Sequence, residues 1–385
     1  MLAISANYCR FSLFMEIYLS FLVILLVFSF LEVFKKENIL LQKYLLLSTY
    51  LLSVFLIGLR WRTGTDWDNY KIIFDNISSS SNQIIQGYIN YDGRTYYMEQ
   101  GYLLLNWVVH LFTHSYSVFL CLHALIYYYF IIYGLKRITQ YPISSYLFLF
   151  ASSLGMVGSN RQLLAVAFIF YSLTLVIARN KWFFGVVVAS ITFHTTAVLG
   201  SVYYFLNRKL QWQVVVGILL GAMVFGYTNV PLHLFRFVGY FSETLQLKAM
   251  SYITSEVVPL SLIGIAKRAI FVIFFLWIRD KVEKVYPYYN LLLNGYLISL
   301  VLYLLFGSSL SIIVSRGSMY FNIVEGVLLT SVLYILKERW QRALCVSVVF
   351  ALSIWMMHNS IKAYLDLFKP YKSLWYNQQY ERNMY

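Results

Sequence analysis

In a chain of 385 residues, 60% are hydrophobic and only 12% are charged, whereas soluble domains carry about 25% charged residues. That excludes a water-soluble globular protein. The formal charge of +14 points to basic cytoplasmic loops and acidic lipid head groups, and gives no reason to invoke nucleic acid.

Apolar segments run at about 11–33, 39–59, 115–135, 141–158, 161–178, 182–206, 210–228, 261–278, 288–306, 317–336 and 343–361. Most are long enough to cross a hydrocarbon core of roughly 30 Å. The sequence therefore predicts an all-α integral membrane protein, a polytopic helical bundle of about 11–13 transmembrane segments. Residues 1–385 read as a single transmembrane domain. The first segment is too long for the apolar core of a signal peptide, and no small-x-small cleavage site follows it. Abundant Tyr and Trp suit the bilayer interfaces. A shorter apolar piece, 100–113, suits an interfacial helix or part of a broken crossing. The longest polar stretches are 60–99 and 229–260. Cys9, Cys121 and Cys345 lie far apart without metal spacing, and read as packing residues.

Basic clusters at Lys35-Lys36, Lys136-Arg137, Arg179–Lys181, Arg279–Lys284 and Lys337–Arg342 belong inside by the positive-inside rule. The stretches 60–99, 158–161, 229–260 and 307–316 then fall outside. Three apolar segments between Lys181 and Arg279 break this alternation. A broken, re-entrant segment at 182–206 restores it and returns Arg208-Lys209 to the inside. Irregular backbone at membrane depth is tolerated where protein buries it or a wet cavity adjoins it. A further crossing within 229–260 restores parity equally well.

Charge gathers at the outer ends of several segments. In "GLRWRTGTDWDNY" Arg60 and Arg62 leave the second segment, and Gly64, Asp66 and Asp68 come directly after. Arginines at a helix end commonly snorkel to the interface, but the glycine and the acids favour a folded-back loop. Arg161 in "GSNRQLLA" opens an apolar helix, where intramembrane charge is costly and has a functional or an ion-pairing role. His194 in "TFHTTA" suits either a hydrogen-bonded core histidine or a catalytic group. Arg316 in "SRGSMYF" has Tyr320 one turn on. Glu99 in "MEQGYLLLN" precedes an apolar stretch, and Lys267 and Arg268 are a weaker pair inside a later segment. Four arginines near one leaflet suit phosphate recognition, and a carboxylate or histidine beside them suits proton transfer. No metal signature accompanies them. The arginines are expected to supply the electrostatic stabilisation that Mg²⁺ gives in many nucleotide-sugar enzymes, with no cofactor.

The run "LSVFLIGLRWRTGTDWDNYKIIFDN", in which Tyr70 is the tyrosine, resembles a span ending R-x-x-x-GTD-aromatic-x-x-Tyr. "MEQGYLLLN" resembles an "EPGY…LN" element, "NRQLLAVAF" an "xRQxLA" helix, and "ASITFHTTAVL" an "FHxxAL" segment. Together, in this order, these resemble the EpsG-like branch of the Wzy-type polysaccharide polymerases. Gln100 stands where that family often has proline, and Trp67 where it usually has tyrosine. The resemblance implies a GT-C-like fold in the bacterial cytoplasmic membrane. It implies polymerisation of undecaprenyl-pyrophosphate-linked oligosaccharide repeat units by glycosyl transfer on the outer face, with loops 60–99 and 229–260 around an external active-site cavity. A flippase and a chain-length regulator are the implied protein partners.

Under that reading Arg60, Arg62, Tyr70, Arg161, Arg316 and Tyr320 bind pyrophosphate or glycan. An arginine stays charged throughout, so the acceptor's proton falls to Glu99, Asp66 or His194. Glu99 ranks first because it has no basic neighbour within four residues and stands at the membrane boundary. Asp66 is close enough to Arg60 and Arg62 to be engaged in orienting them. His194 also suits a structural role. An O-antigen ligase is the nearest rival, but its large outer loop comes late in the chain. A flippase or exporter places its charges near the midplane. A membrane acyltransferase uses a histidine but gives four arginines no role.

The orientation is testable at Asn82. A cysteine placed there, in protein stripped of its own cysteines, is expected to react with an impermeant maleimide in intact spheroplasts. Labelling only after lysis reverses the topology.

Overall fold

Long apolar runs leave the backbone one economical way to satisfy its polar groups in hydrocarbon, the α-helix. The computed structural model describes residues 16–77, 81–228, 230–233, 262–377 and 379, and is 75% helical. Five helical stretches among the described residues are long and apolar enough to cross a membrane: Ile17–Phe34, Ile39–Gly58, Tyr116–Ile138, Tyr289–Phe306 and Arg339–Phe368. Pro142–Met156, Asn160–Val176, Trp182–Ile191 and Trp212–Gly226 are shorter apolar helices. The protein is an all-α polytopic membrane protein. Its described residues divide into two units, although no linker in the sequence marks the division. The first comprises residues up to Leu175, Lys181–Val198 and those from Leu336; the second comprises Val176–Asn180 and Leu199–Ile335.

In the first unit the helices Glu16–Phe34, Pro142–Ser153 and Arg339–Ile361 pack on one another, and Ile39–Gly58 packs on Tyr116–Ile138. Gly58 permits close approach: a Cβ there would press on Cys121 and Ala124. Several polar side chains within these helices find partners inside the protein. Ser53 donates to the carbonyl of Thr49 at 2.6 Å, and the Tyr146 hydroxyl donates to Ser53 Oγ at 2.6 Å. Glu32 is buried, and its carboxylate accepts from the amides of Ile143 and Ser144 at 2.7 and 2.9 Å and from Ser144 Oγ at 2.7 Å. It thereby caps the first turn of Pro142–Ser153, whose amides have no partner within their own helix.

In the second unit Trp212–Gly226 and Leu262–Val282 pack on Tyr289–Phe306. A Cβ at Gly226 would overlap the carbonyl of Leu304. The apolar segment 317–336 is not one span. It divides into Met319–Asn322, Glu325–Thr330 and the 3₁₀ turn Ser331–Tyr334. Ser318 Oγ donates to the carbonyl of Val314, and Asn322 Nδ2 donates to Ser318 Oγ; such bonds compete with the helical ladder. Lys267 holds the buried Glu325 at 2.8 Å.

Segment 182–206 is broken, as the sequence predicts. An α-helix, Trp182–Ile191, is followed by a turn and a 3₁₀ helix, Thr195–Phe205. Arg179 Nη1 donates to the carbonyl of Tyr204 at 3.5 Å, so the segment leaves from and returns to one place. Beyond it, Lys209 pairs with Asp280 at 2.7 Å and Glu283 at 2.5 Å. The basic stretches 208–209 and 279–284 therefore share one end of the second unit.

Stretch 60–99 is more structured than its composition suggests. It contains helices Trp67–Asp75 and Ser81–Gln86 and an antiparallel hairpin pairing Tyr88–Tyr91 with Arg94–Tyr97. Asp92 and Gly93 both have positive φ, 50° and 70°, as a two-residue hairpin turn requires. Apart from residues 230–233, stretch 229–260 lies outside the described residues, as does Cys9. Cys121 and Cys345 are free thiols.

Glu32 offers a test of the packing. Glu32→Ala leaves buried donors unpaired, each costing about 1–3 kcal/mol. Its melting temperature in detergent is expected to fall well below that of the native protein, and Glu32→Gln, which keeps an acceptor oxygen, is expected to recover part of the loss. Equal melting temperatures for all three contradict the capping role.

Candidate active site

The site of the first unit begins where two loops cross. After Gly58 the chain turns through Arg62, with φ 42°, and Gly64, with φ 100°; the other loop turns at Gly158, with φ 117°. A Cβ on Gly64 would overlap the carbonyl of Val157, and one on Gly158 would overlap the amide of Thr65. Only glycine allows the two backbones this close. Lys372 and Leu367 accept from the amides of Trp61 and Gly64, and the amide of Leu374 donates to Leu59. Residues 59–64 are thus held between the 157–158 loop and the carboxy-terminal segment. Trp67 anchors the start of helix Trp67–Asp75, wholly buried edge-to-face against Trp61 and Tyr116, with ring centroids at 5.1 and 5.3 Å.

Helix Asn160–Val176 starts at the crossing, and its first two residues face different tasks. The Asn160 side chain accepts from Arg60 Nη2 at 2.8 Å and donates to the Tyr116 hydroxyl at 3.1 Å. Its main-chain carbonyl accepts from His123 Nε2 at 2.8 Å. Arg161 Nη1 lies 2.5 Å from Glu99 Oε2, and Arg161 Nε donates to the Tyr70 hydroxyl at 3.1 Å. The other Glu99 oxygen accepts from Thr195 Oγ1 at 3.1 Å and from its amide at 3.4 Å. Side-chain exposures of 21% for Arg161 and 10% for Glu99 leave the pair enclosed but reachable. Gly101 donates its amide to the carbonyl of Thr192 at 2.8 Å, and a Cβ on Gly101 would overlap Thr192. The turn of the broken segment is therefore pressed against the start of Gln100–His110, which places Thr195 on Glu99.

The structure thus gathers Tyr70, Glu99 and Arg161 from three separate stretches. Glu99, without a basic neighbour in sequence, is in an ion pair. Arg62 Nε stands 3.6 Å from Asp68 Oδ1, about half exposed. Asp66 is the residue before helix Trp67–Asp75, and its carbonyl accepts from the Tyr70 amide. His194 is 6% exposed and its Nδ1 lies 2.7 Å from Thr196 Oγ1. Arg60 is 1% exposed and holds Asn160 and the Ile57 carbonyl; its guanidinium has no opening to a large substrate. Arg316 and Tyr320 belong to the second unit. Arg316 is in the last turn of Ser311–Gly317, and Tyr320 is wholly buried, with its carbonyl accepting from the Tyr203 hydroxyl at 3.1 Å. Lys267, paired with Glu325, is in this unit too. Among the described residues no group of three or more His, Cys, Asp or Glu converges as a metal site would.

Sequence reasoning missed Asn160, Tyr116 and His123. Asn160 stands inside "GSNRQLLA" beside an arginine that drew attention to itself. Nothing local in "SYSVFLCLHALIYYY" distinguishes Tyr116 or His123 from packing residues.

Asn160 is the hinge of this arrangement. Asn160→Ala is expected to cost about 2–4 kcal/mol, since it strips a charged donor of its partner and frees a buried hydroxyl. Asn160→Asp, which keeps an oxygen for Arg60, is expected to lose less. Thermal unfolding of the two variants in detergent decides the matter, and a harmless Asn160→Ala removes the hub.

A model of the EpsG family matches residues 43–373. No curated protein and no solved structure matches the chain.

Proposed function

The chain belongs to the EpsG family, a Wzy-like polymerase family, and from that premise we propose that it polymerises lipid-pyrophosphate-linked oligosaccharide repeat units into a surface polysaccharide. The carrier is undecaprenyl pyrophosphate, and transfer takes place on the outer face of the cytoplasmic membrane. The observation that carries this reading is the enclosed Arg161–Glu99 pair, with Nη1 and Oε2 at 2.5 Å. It places a permanent cation and a carboxylate side by side, the two charges that glycosyl transfer from a pyrophosphate needs.

The donor's pyrophosphate competes with Glu99 for Arg161, because guanidinium pairs with phosphate as readily as with carboxylate. Substrate binding thereby releases Glu99. The acceptor hydroxyl attacks the anomeric carbon of the donor chain as Glu99 takes its proton. The bond from that carbon to the pyrophosphate oxygen breaks, and the lipid pyrophosphate leaves with its added charge against Arg161. Thr195 holds the carboxylate in place, and Tyr70 orients the guanidinium. Half-exposed Arg62 is a further phosphate contact, and Arg316, in the second unit, keeps the phosphate-binding role that its predicted place at the outer end of a segment gives it. Arg60 is a positioning residue, fixing Asn160 and with it the start of the helix that bears Arg161.

Purified protein with synthetic lipid-linked repeat units tests the assignment. Glu99→Gln is expected to bind donor and to turn over at least about a hundredfold more slowly. Arg161→Ala is expected to lose donor binding. Near-normal turnover by Glu99→Gln, with an inactive Asp66→Asn, moves the base to Asp66. Normal polymer ladders from both Arg161→Ala and Arg316→Ala remove the pyrophosphate site altogether.

A further inference from the structure

The hairpin ahead of Glu99 exposes aromatic side chains that the proposed reaction does not use. Its register pairs Tyr88 with Tyr97, Ile89 with Tyr96, Asn90 with Thr95 and Tyr91 with Arg94. Side chains alternate between the two faces of a strand. Tyr88, Asn90, Thr95 and Tyr97 therefore share one face, and Ile89 and Tyr96 lie on the other. Ile89 is 1% exposed and belongs to the buried cluster around Trp67, Tyr70 and Tyr102, which fixes the inner face. The outer face is open: Tyr97 is 63% exposed, and Asn90 and Thr95 are exposed too.

On that open face the rings of Tyr88 and Tyr97 meet edge to face, with centroids 6.5 Å apart. Thr95 Oγ1 donates to Asn90 Oδ1 at 2.9 Å. A sugar ring has the complementary surface. Its C–H bonds suit the negative face of an aromatic ring, and its hydroxyls exchange hydrogen bonds with an amide and a hydroxyl. Tyrosine offers such contact at small cost in side-chain entropy. Tyrosines also line bilayer interfaces. Here Asp92 and Arg94 put charges of both signs at the tip, and the polar Asn90–Thr95 pair separates them from the rings, which suits a partner approached from water. The hairpin is also tied to the candidate site. The amide of Met98 donates to the carbonyl of Gly87 at 2.9 Å, and Gln100 Nε2 donates to the carbonyl of Ile85 at 2.6 Å. Glu99 lies between these two bonds. It stands two residues beyond Tyr97, so their Cα atoms are no more than about 7 Å apart.

We propose that the outer face of hairpin 88–97 is a glycan platform that holds the acceptor repeat unit beside Glu99. Tyr88 and Tyr97 stack on its sugar rings, and Asn90 and Thr95 bond its hydroxyls. The identity of the glycan as acceptor rests on the polymerase reading; the platform itself rests on the hairpin's geometry.

The test uses the full chain purified in detergent. Mild acid frees the oligosaccharide from the lipid-linked pool of the source cells. A fluorophore is joined to its reducing end, which leaves the non-reducing end able to accept, and fluorescence anisotropy reads binding. Tyr97→Ala and Tyr88→Ala are each expected to weaken binding several-fold. Tyr97→Phe, which keeps the ring, and Tyr96→Ala, on the other face, are expected to bind as the native chain does. With lipid-linked donor present, Tyr97→Ala is expected to raise KM for the tagged acceptor and to leave kcat near native, the mark of lost ground-state binding. A native chain that binds no oligosaccharide, or one that binds as tightly after Tyr97→Ala, overturns the platform. Equal loss in a Tyr96→Ala variant of native melting temperature overturns it too. So does quenching by brominated lipid, in nanodiscs, of a fluorophore attached through Arg94→Cys in protein stripped of its own cysteines, since that seats the hairpin among head groups. A native chain that makes no polymer removes the reaction alone, because anisotropy reads the platform without turnover.

Discussion

One amide side chain sets the geometry on which the first unit's polar interior depends. Asn160 accepts from Arg60, donates to Tyr116 and offers its carbonyl to His123. It thereby ties the end of Ile39–Gly58 to two places on Tyr116–Ile138 at the head of its own helix. In an apolar interior each of these groups is costly to bury alone. Three made bonds turn that cost into directional constraint. The next residue inherits the result, since Arg161 projects from a helix whose first turn cannot rotate without breaking all three.

The same economy runs through the rest of the fold. Glu32 caps a neighbouring helix, Glu325 takes Lys267, and Glu99 takes Arg161. Buried carboxylates here are fixed either by backbone amides or by a cation from a different helix. Such pairs specify which helices meet, because a mismatched partner leaves a charge unpaired. In segment 317–336 Glu325 is bound where Lys267 can reach it, and the nearby Ser318 and Asn322 side chains bond locally beside the ladder.

The membrane-spanning character, the break in segment 182–206 and the sharp turn of the GTD loop were legible because each has a local signature. Apolar length marks a span, failed charge alternation marks the break, and a glycine among charges marks a turn. The Arg161–Glu99 pair was legible only as two separate residues, since their 62 positions of separation carry no pattern in one sequence. Arg60 misled for the same reason. A helix-end arginine looks alike whether it faces water or an interior hub, and only its burial separates the two. The division of 317–336 was hidden because hydropathy averages over the few polar residues within it. The hairpin 88–97 was hidden because its exposed strands show no alternation of apolar and polar residues.

The carboxy-terminal segment gives the molecule an order of assembly. Residues 59–64 are pinned on one side by the backbone of Leu367, Lys372 and Leu374, which are made roughly three hundred residues after the loop they secure. A chain inserting into the membrane as it is synthesised therefore carries an unfinished GTD loop through almost its whole manufacture. The strap closes late, so the loop gains these backbone partners only once residues 367–374 are in place.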